Sequence, residues 1–154
     1  MQASWLGHFM RESGPWTYAI VNLTHVLGIS TLFGSILVLD LRLVGIGRRV
    51  PLAALSAAVV PVATAGFLIA VTTGVGLLAT KATEYVGNPF LLIKFPAIAL
   101  GLLNVAILKQ TGAWRAHRTR DLTAGEQRQL AVFGGLSLLC WLTAITAGRM
   151  IAYW

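Results

Sequence analysis

Four apolar stretches, each near the ~20 residues that a helix needs to cross a bilayer core, constrain this 154-residue chain more than anything else in it. They cover residues 16–39, 59–80, 89–108 and 130–153 and leave only short connections, too short to fold alone. Hydrophobic residues make up 56% of the sequence and charged residues 11%, a balance that excludes a soluble domain of ordinary composition. Backbone in lipid must satisfy its own hydrogen bonds, so the stretches read as helices. The expected fold is all-α: a single transmembrane domain over residues 1–154, built as an up-down-up-down four-helix bundle, because short connections favour antiparallel neighbours.

Local signals agree with helices. Ser13-Gly14-Pro15 opens the first stretch and Asn88-Pro89 the third, each a capping side chain followed by proline where no amide partner is missed. Thr123 and Glu126 have the spacing of a capping box before the fourth. Trp5, Leu6, Phe9 and Met10 recur at helical spacing, so residues 2–12 read as a short amphipathic helix on the membrane surface. The first 15 residues lack the pattern of a cleavable signal peptide, and the first span is expected to act as its own insertion signal.

Basic residues set the orientation. The first connection holds Arg42, Arg48 and Arg49, and the third holds Lys109, Arg115, Arg118, Arg120 and Arg128, whereas the second holds Lys81 balanced by Glu84. The first and third connections therefore face the cytoplasm and both termini the outside of a multi-pass membrane protein. Trp5, Trp16, Tyr18, Tyr85, Tyr153 and Trp154 gather at the outer interface, with Trp114 at the inner one. The net charge of +7 is then the mark of insertion, with anionic headgroups as counter-charge, and not of nucleic-acid binding.

Small residues every four positions mark packing seams: Gly66, Ala70 and Gly74; Ala97 and Gly101; Ala144, Gly148 and Ala152. These surfaces suit either the bundle itself or association with a partner membrane subunit or a second copy. Asp40 stands at the cytoplasmic end of its helix, the unfavourable end for an anion, so an ion pair with Arg42, Arg128 or another inner arginine is expected. Cys140 is the only cysteine and reads as a small packing residue.

Ionisable groups inside apolar segments mark a site by default, because charge in hydrocarbon is expensive. At a rise of ~1.5 Å per residue, His25 lies ~13 Å, Lys94 ~9 Å and Arg149 ~7 Å from the outer ends of their helices, all in the outer half. Asn22, Thr72, Thr73 and Thr146 share that depth. Two cations and an imidazole without an acid in the layer suggest an anionic or acceptor-rich ligand. In one reading His25 ligates b-type haem while Lys94 and Arg149 pair with its propionates, the second axial position falling to His8, Met150, a partner or nothing. In another, His25 and Lys94 donate to a quinone, an equally apolar electron carrier. In a third, His8 and His25 with Met1 and Met10 hold copper at the outer face. A non-catalytic accessory subunit is the alternative to all three. Ser/His/Asp triads, paired carboxylates, phosphate-binding glycine loops and zinc motifs are not recognisable.

The runs His25-Val26-Leu27-Gly28, Leu39-Asp40-Leu41-Arg42-Leu43-Val44-Gly45, Thr73-Gly74, Asn88-Pro89-Phe90 with Lys94, Asn104 and Gly148-Arg149-Met150-Ile151-Ala152-Tyr153 occur in order across all four helices. In these the chain resembles a family of small bacterial four-helix inner-membrane proteins of unknown function. More distantly it is similar to copper-resistance D proteins and b-type membrane cytochromes, a likeness that implies redox or copper work at the outer face. Relatives often carry an acid three places before the histidine. Asn22 stands there in this chain, which removes one partner for proton-coupled chemistry.

Overall fold

In the computed structural model, which describes residues 14–80 and 87–153, every regular element is helical. α1 runs Gly14–Val44, α2 Leu52–Thr80, α3 Pro89–Gln110, the short α4 Gly112–Ala116 and α5 Ala124–Met150, closed by a 3₁₀ turn at Ile151–Tyr153. All four long helices are long and apolar enough to cross a membrane. The proposed interfacial helix and the connection bearing Lys81, Glu84 and Tyr85 lie outside the described residues, as does Ser13.

The helices extend beyond the apolar stretches at the ends that carry arginines. At the start of α5 the reason is capping, which acts on polar residues that hydropathy does not register. Asn88 accepts the Phe90 amide at 2.9 Å with Pro89 at the first helical position. Thr123 accepts the Glu126 amide while Glu126 accepts from the Thr123 amide, so α5 begins six residues before its apolar run. α1 ends at Gly45, whose φ of 116° is open to glycine. There the Ile46 amide reaches back to the Leu41 carbonyl at 2.8 Å, satisfying a terminal acceptor. α2 and α3 continue through Pro61 and Pro96.

The chain forms two compact units, and α1 and α2 each contribute to both. The first unit contains residues 14–34 with 61–80 and 87 among those described. Its helices run antiparallel along a seam of small residues. A Cβ on Gly28 would stand 2.9 Å from the Ala70 amide nitrogen, and one on Gly66 would stand 2.6 Å from the Leu32 amide nitrogen and 2.9 Å from the Gly28 carbonyl oxygen. Backbone therefore meets backbone, which only glycine permits.

The second unit contains residues 35–60 and 88–153. Here α3 and α5 are antiparallel, with Gly101 under the Trp141 ring, where a Cβ would stand 3.3 Å from Cε2, and Asn104 donating to the Phe133 carbonyl at 3.0 Å. A buried cluster of Leu43, Leu52, Leu108, Ala113, Trp114 and Leu130 closes the arginine-bearing end. Trp114 belongs to this core, 9% exposed, and is not the interfacial aromatic expected of it.

Candidate functional site

The residues expected to form a polar layer fall in both units, and each unit has its own arrangement. In the first, α1 and α2 bring His25 against Thr73 and Gly74. Thr73 Oγ1 spends its single proton on the Ile69 carbonyl, 2.5 Å away one turn earlier. It is then an acceptor for His25 Nδ1 at 3.0 Å. In a neutral imidazole this pairing puts the proton on Nδ1 and the lone pair on Nε2. Gly74 makes room for the ring: a Cβ there would lie 2.9 Å from His25 Cε1. Asn22 sits one turn earlier on α1 and is exposed. Thr72 bonds to the Leu68 carbonyl on its own helix at 2.8 Å.

The second unit holds Lys94 and Arg149 at one end. Gly148 leaves a slot crossed by the Lys94 side chain, whose Cε and Nζ lie 3.6 Å from the point a Cβ would occupy. Its aliphatic stem packs on the helix while the ammonium stays half-buried. Arg149 is exposed and turns along its own helix, donating to the Tyr153 hydroxyl at 2.6 Å with its guanidinium carbon 4.9 Å from that ring's centroid. The spacing of four between Arg149 and Tyr153 carries that contact in the sequence. Phe90, Ile93, Leu142, Thr143, Thr146 and Met150 line a groove of about 300 Å³ between α3 and α5. His8, Met1 and Met10, the other members of the copper set, lie outside the described residues. Among those described, no three His, Cys, Asp or Glu side chains cluster.

Two polar arrangements were not readable from the sequence. His117, in the connection between α3 and α5, is 7% exposed. Its Nδ1 donates to the Trp114 carbonyl, its Nε2 meets the fully buried Ser56 hydroxyl at 2.9 Å, and its ring lies 4.4 Å from that of Trp114. The partners are 61 residues apart, and no local pattern announces such a bond. Burial pushes the His117 pKa below the ordinary value, with the charge of Arg118 acting in the same direction and the Trp114 carbonyl opposing it. A buried serine beside an imidazole oriented by a carbonyl has the outline of a nucleophile pair, but no surface reaches the Ser56 hydroxyl. Its role is to pin α4 to α2.

Asp40 corrects the expected ion pair. It is 4% exposed, bonds to the Ser137 hydroxyl and leaves Oδ2 with no partner. Arg42 instead donates through Nε to the Val50 carbonyl at 2.7 Å. Residues two apart on a helix point to different sides, so Arg42 serves the turn after α1 while Asp40 enters the seam, where Gly134 approaches its carbonyl oxygen. The one ion pair found among the described residues is Arg120 with Glu126, at 2.7 Å.

Comparisons with protein-family models, with curated proteins and with solved structures gave no match to this chain.

Proposed function

We propose that this protein is a multi-pass electron-transfer protein of a bacterial inner membrane, an up-down-up-down bundle with both termini outside. In this reading His25 ligates b-type haem through Nε2. The membrane reading is supported by exposed apolar surface. Between 17% and 33% of each candidate span is buried inside the chain, and Leu27, Leu68, Leu92, Leu100, Val132 and Leu139 are all more than half exposed. Surface of that extent needs lipid or protein against it.

The haem reading rests on one observation, the His25–Thr73 hydrogen bond. A ligating histidine commonly donates its other ring N–H to an acceptor, which fixes the tautomer and raises the basicity of the ligating nitrogen. Thr73 supplies that acceptor because its own proton goes to Ile69. Haem would supply the one-electron chemistry; the chain's part is to orient the imidazole. Lys94 and Arg149 belong to the second unit and are read separately, as partners for anionic groups.

The test is an absorption spectrum of protein purified from haem-replete cells. A Soret band that His25→Ala abolishes supports the reading, and a preparation that stays colourless after haem loading rejects it. A second reading, an accessory subunit associating through its small-residue surfaces with a partner subunit or a second copy, is favoured by the exposed apolar faces. It predicts that His25→Ala leaves association unchanged.

A further inference from the structure

A second polar feature, independent of His25, lies at the opposite, arginine-bearing end of α1. A cleft there is lined by Arg42, Gly45 and Arg48 on one side and by Leu122, Gln127 and Leu130 on the other. Arg42 is held from behind, its Nε on the Val50 carbonyl at 2.7 Å and its Nη2 on the Arg48 carbonyl at 3.4 Å. Those two bonds fix the plane of the guanidinium and leave Nη1 uncommitted. The Arg48 side chain folds across Gly45, its Nη2 and Nε lying 2.9 and 3.0 Å from the point where a Cβ would stand. Glycine is required there by φ 116°, and the missing Cβ lets that guanidinium lie across the turn.

Two guanidiniums therefore share one small cleft, and among the described residues neither pairs with a carboxylate. Of the two acids beside the far lining residues, Asp121 pairs with neither arginine and Glu126 is already consumed: both its oxygens accept from Arg120, at 2.7 and 2.9 Å, and Oε2 also takes the Thr123 amide. Asp40 is buried on Ser137. An uncompensated Arg42 pre-organised by backbone carbonyls, with the Arg48 guanidinium beside it, matches the oxygens of a tetrahedral oxyanion. Size limits the ligand. The cleft encloses about 20 Å³, little more than one water needs, so it admits oxygen atoms of a head group and leaves the rest of the ligand outside.

We propose that this cleft binds a phosphate group, with Arg42 and Arg48 as its two cationic ligands. The phosphate belongs either to an anionic lipid headgroup or to a soluble phosphate. This site is separate from the haem reading, and each can fail without the other.

The test uses the full chain purified in detergent. Phosphatidylglycerol and phosphatidylcholine are added in turn and bound lipid is counted by native mass spectrometry; inorganic phosphate is titrated separately by calorimetry. Preferential retention of phosphatidylglycerol, weakened at least about tenfold by Arg48→Gln and unaffected by Arg49→Gln, supports the site with lipid as its source. Binding of inorganic phosphate with the same dependence supports it with a soluble source. Arg49 belongs to the same connection and carries the same charge but does not line the cleft. Arg48→Gln removes a guanidinium without touching the Arg48 carbonyl that holds Arg42, so the turn keeps its bonds; equal helical content by circular dichroism confirms that. Equal weakening by Arg48→Gln and Arg49→Gln would overturn the proposal in favour of diffuse charge. So would the absence of any preference for either phosphate probe.

Discussion

Gly66→Ala tests the seam of the first unit at its tightest point. The added Cβ would stand 2.6 Å from the Leu32 amide nitrogen, against 3.4 Å where ordinary contact begins, and 2.9 Å from the Gly28 carbonyl oxygen. Both neighbours are backbone, so no side chain can swing away and the helices must part by about 0.8 Å along the seam, the difference between those two distances. Overpacking costs ~1–3 kcal/mol, and rigid neighbours place this case near ~3. Alanine's better helix propensity returns ~1 kcal/mol, which leaves a net loss of ~2 kcal/mol. Gly135→Ala is the reference, because a Cβ there meets nothing within 4 Å and only the propensity gain remains. The two variants should differ by ~3 kcal/mol in reversible denaturant unfolding in detergent micelles. Equal stability of Gly66→Ala and Gly135→Ala would refute close backbone approach.

Three further outcomes are expected. Gly74→Ala puts a carbon 2.9 Å from His25 Cε1, displaces the ring and should weaken haem retention, measured as the Soret absorbance left after dialysis against apomyoglobin. Thr73→Val keeps shape but removes the acceptor for Nδ1, and haem affinity by spectroscopic titration should fall about tenfold or more, the usual cost of losing such a supporting partner. For His117 the sign follows from its lowered pKa: the folded state binds the proton more weakly than the unfolded one. The group's contribution is therefore fully present above pH ~6.5 and is lost as pH falls through the lower folded value. His117→Gln should flatten that part of the stability profile in unfolding measured from pH 7.5 to 5.

Hydropathy and capping carried the fold well, for physical reasons that act locally. An apolar run of this length has few alternatives to a helix, and Asn88 and the Thr123–Glu126 pair cap where their spacing says they should. The small-residue periodicity also held, since Gly66, Gly74, Gly101 and Gly148 all sit against a neighbour. What the sequence hid are pairings across many residues. Ser56 and His117 look like an unremarkable serine and a loop histidine until α2 and α4 meet. Asp40 and Arg42 look like a local ion pair, yet helix geometry sends them to different surroundings. The partner of His25 was half legible: Thr73 could be placed at its depth, but the direction of the hydrogen bond depends on Ile69 and needs coordinates.

The most direct test of the central claim, that His25 Nε2 is a haem ligand, is a chemical rescue. Apo-protein carrying His25→Gly is loaded with haem and titrated with free imidazole while the Soret band is followed. The account predicts weak, perturbed haem absorption without imidazole and recovery of the wild-type band as imidazole fills the vacated position. Wild-type-like absorption in His25→Gly before any imidazole is added, or no haem uptake by the wild-type protein, would contradict it.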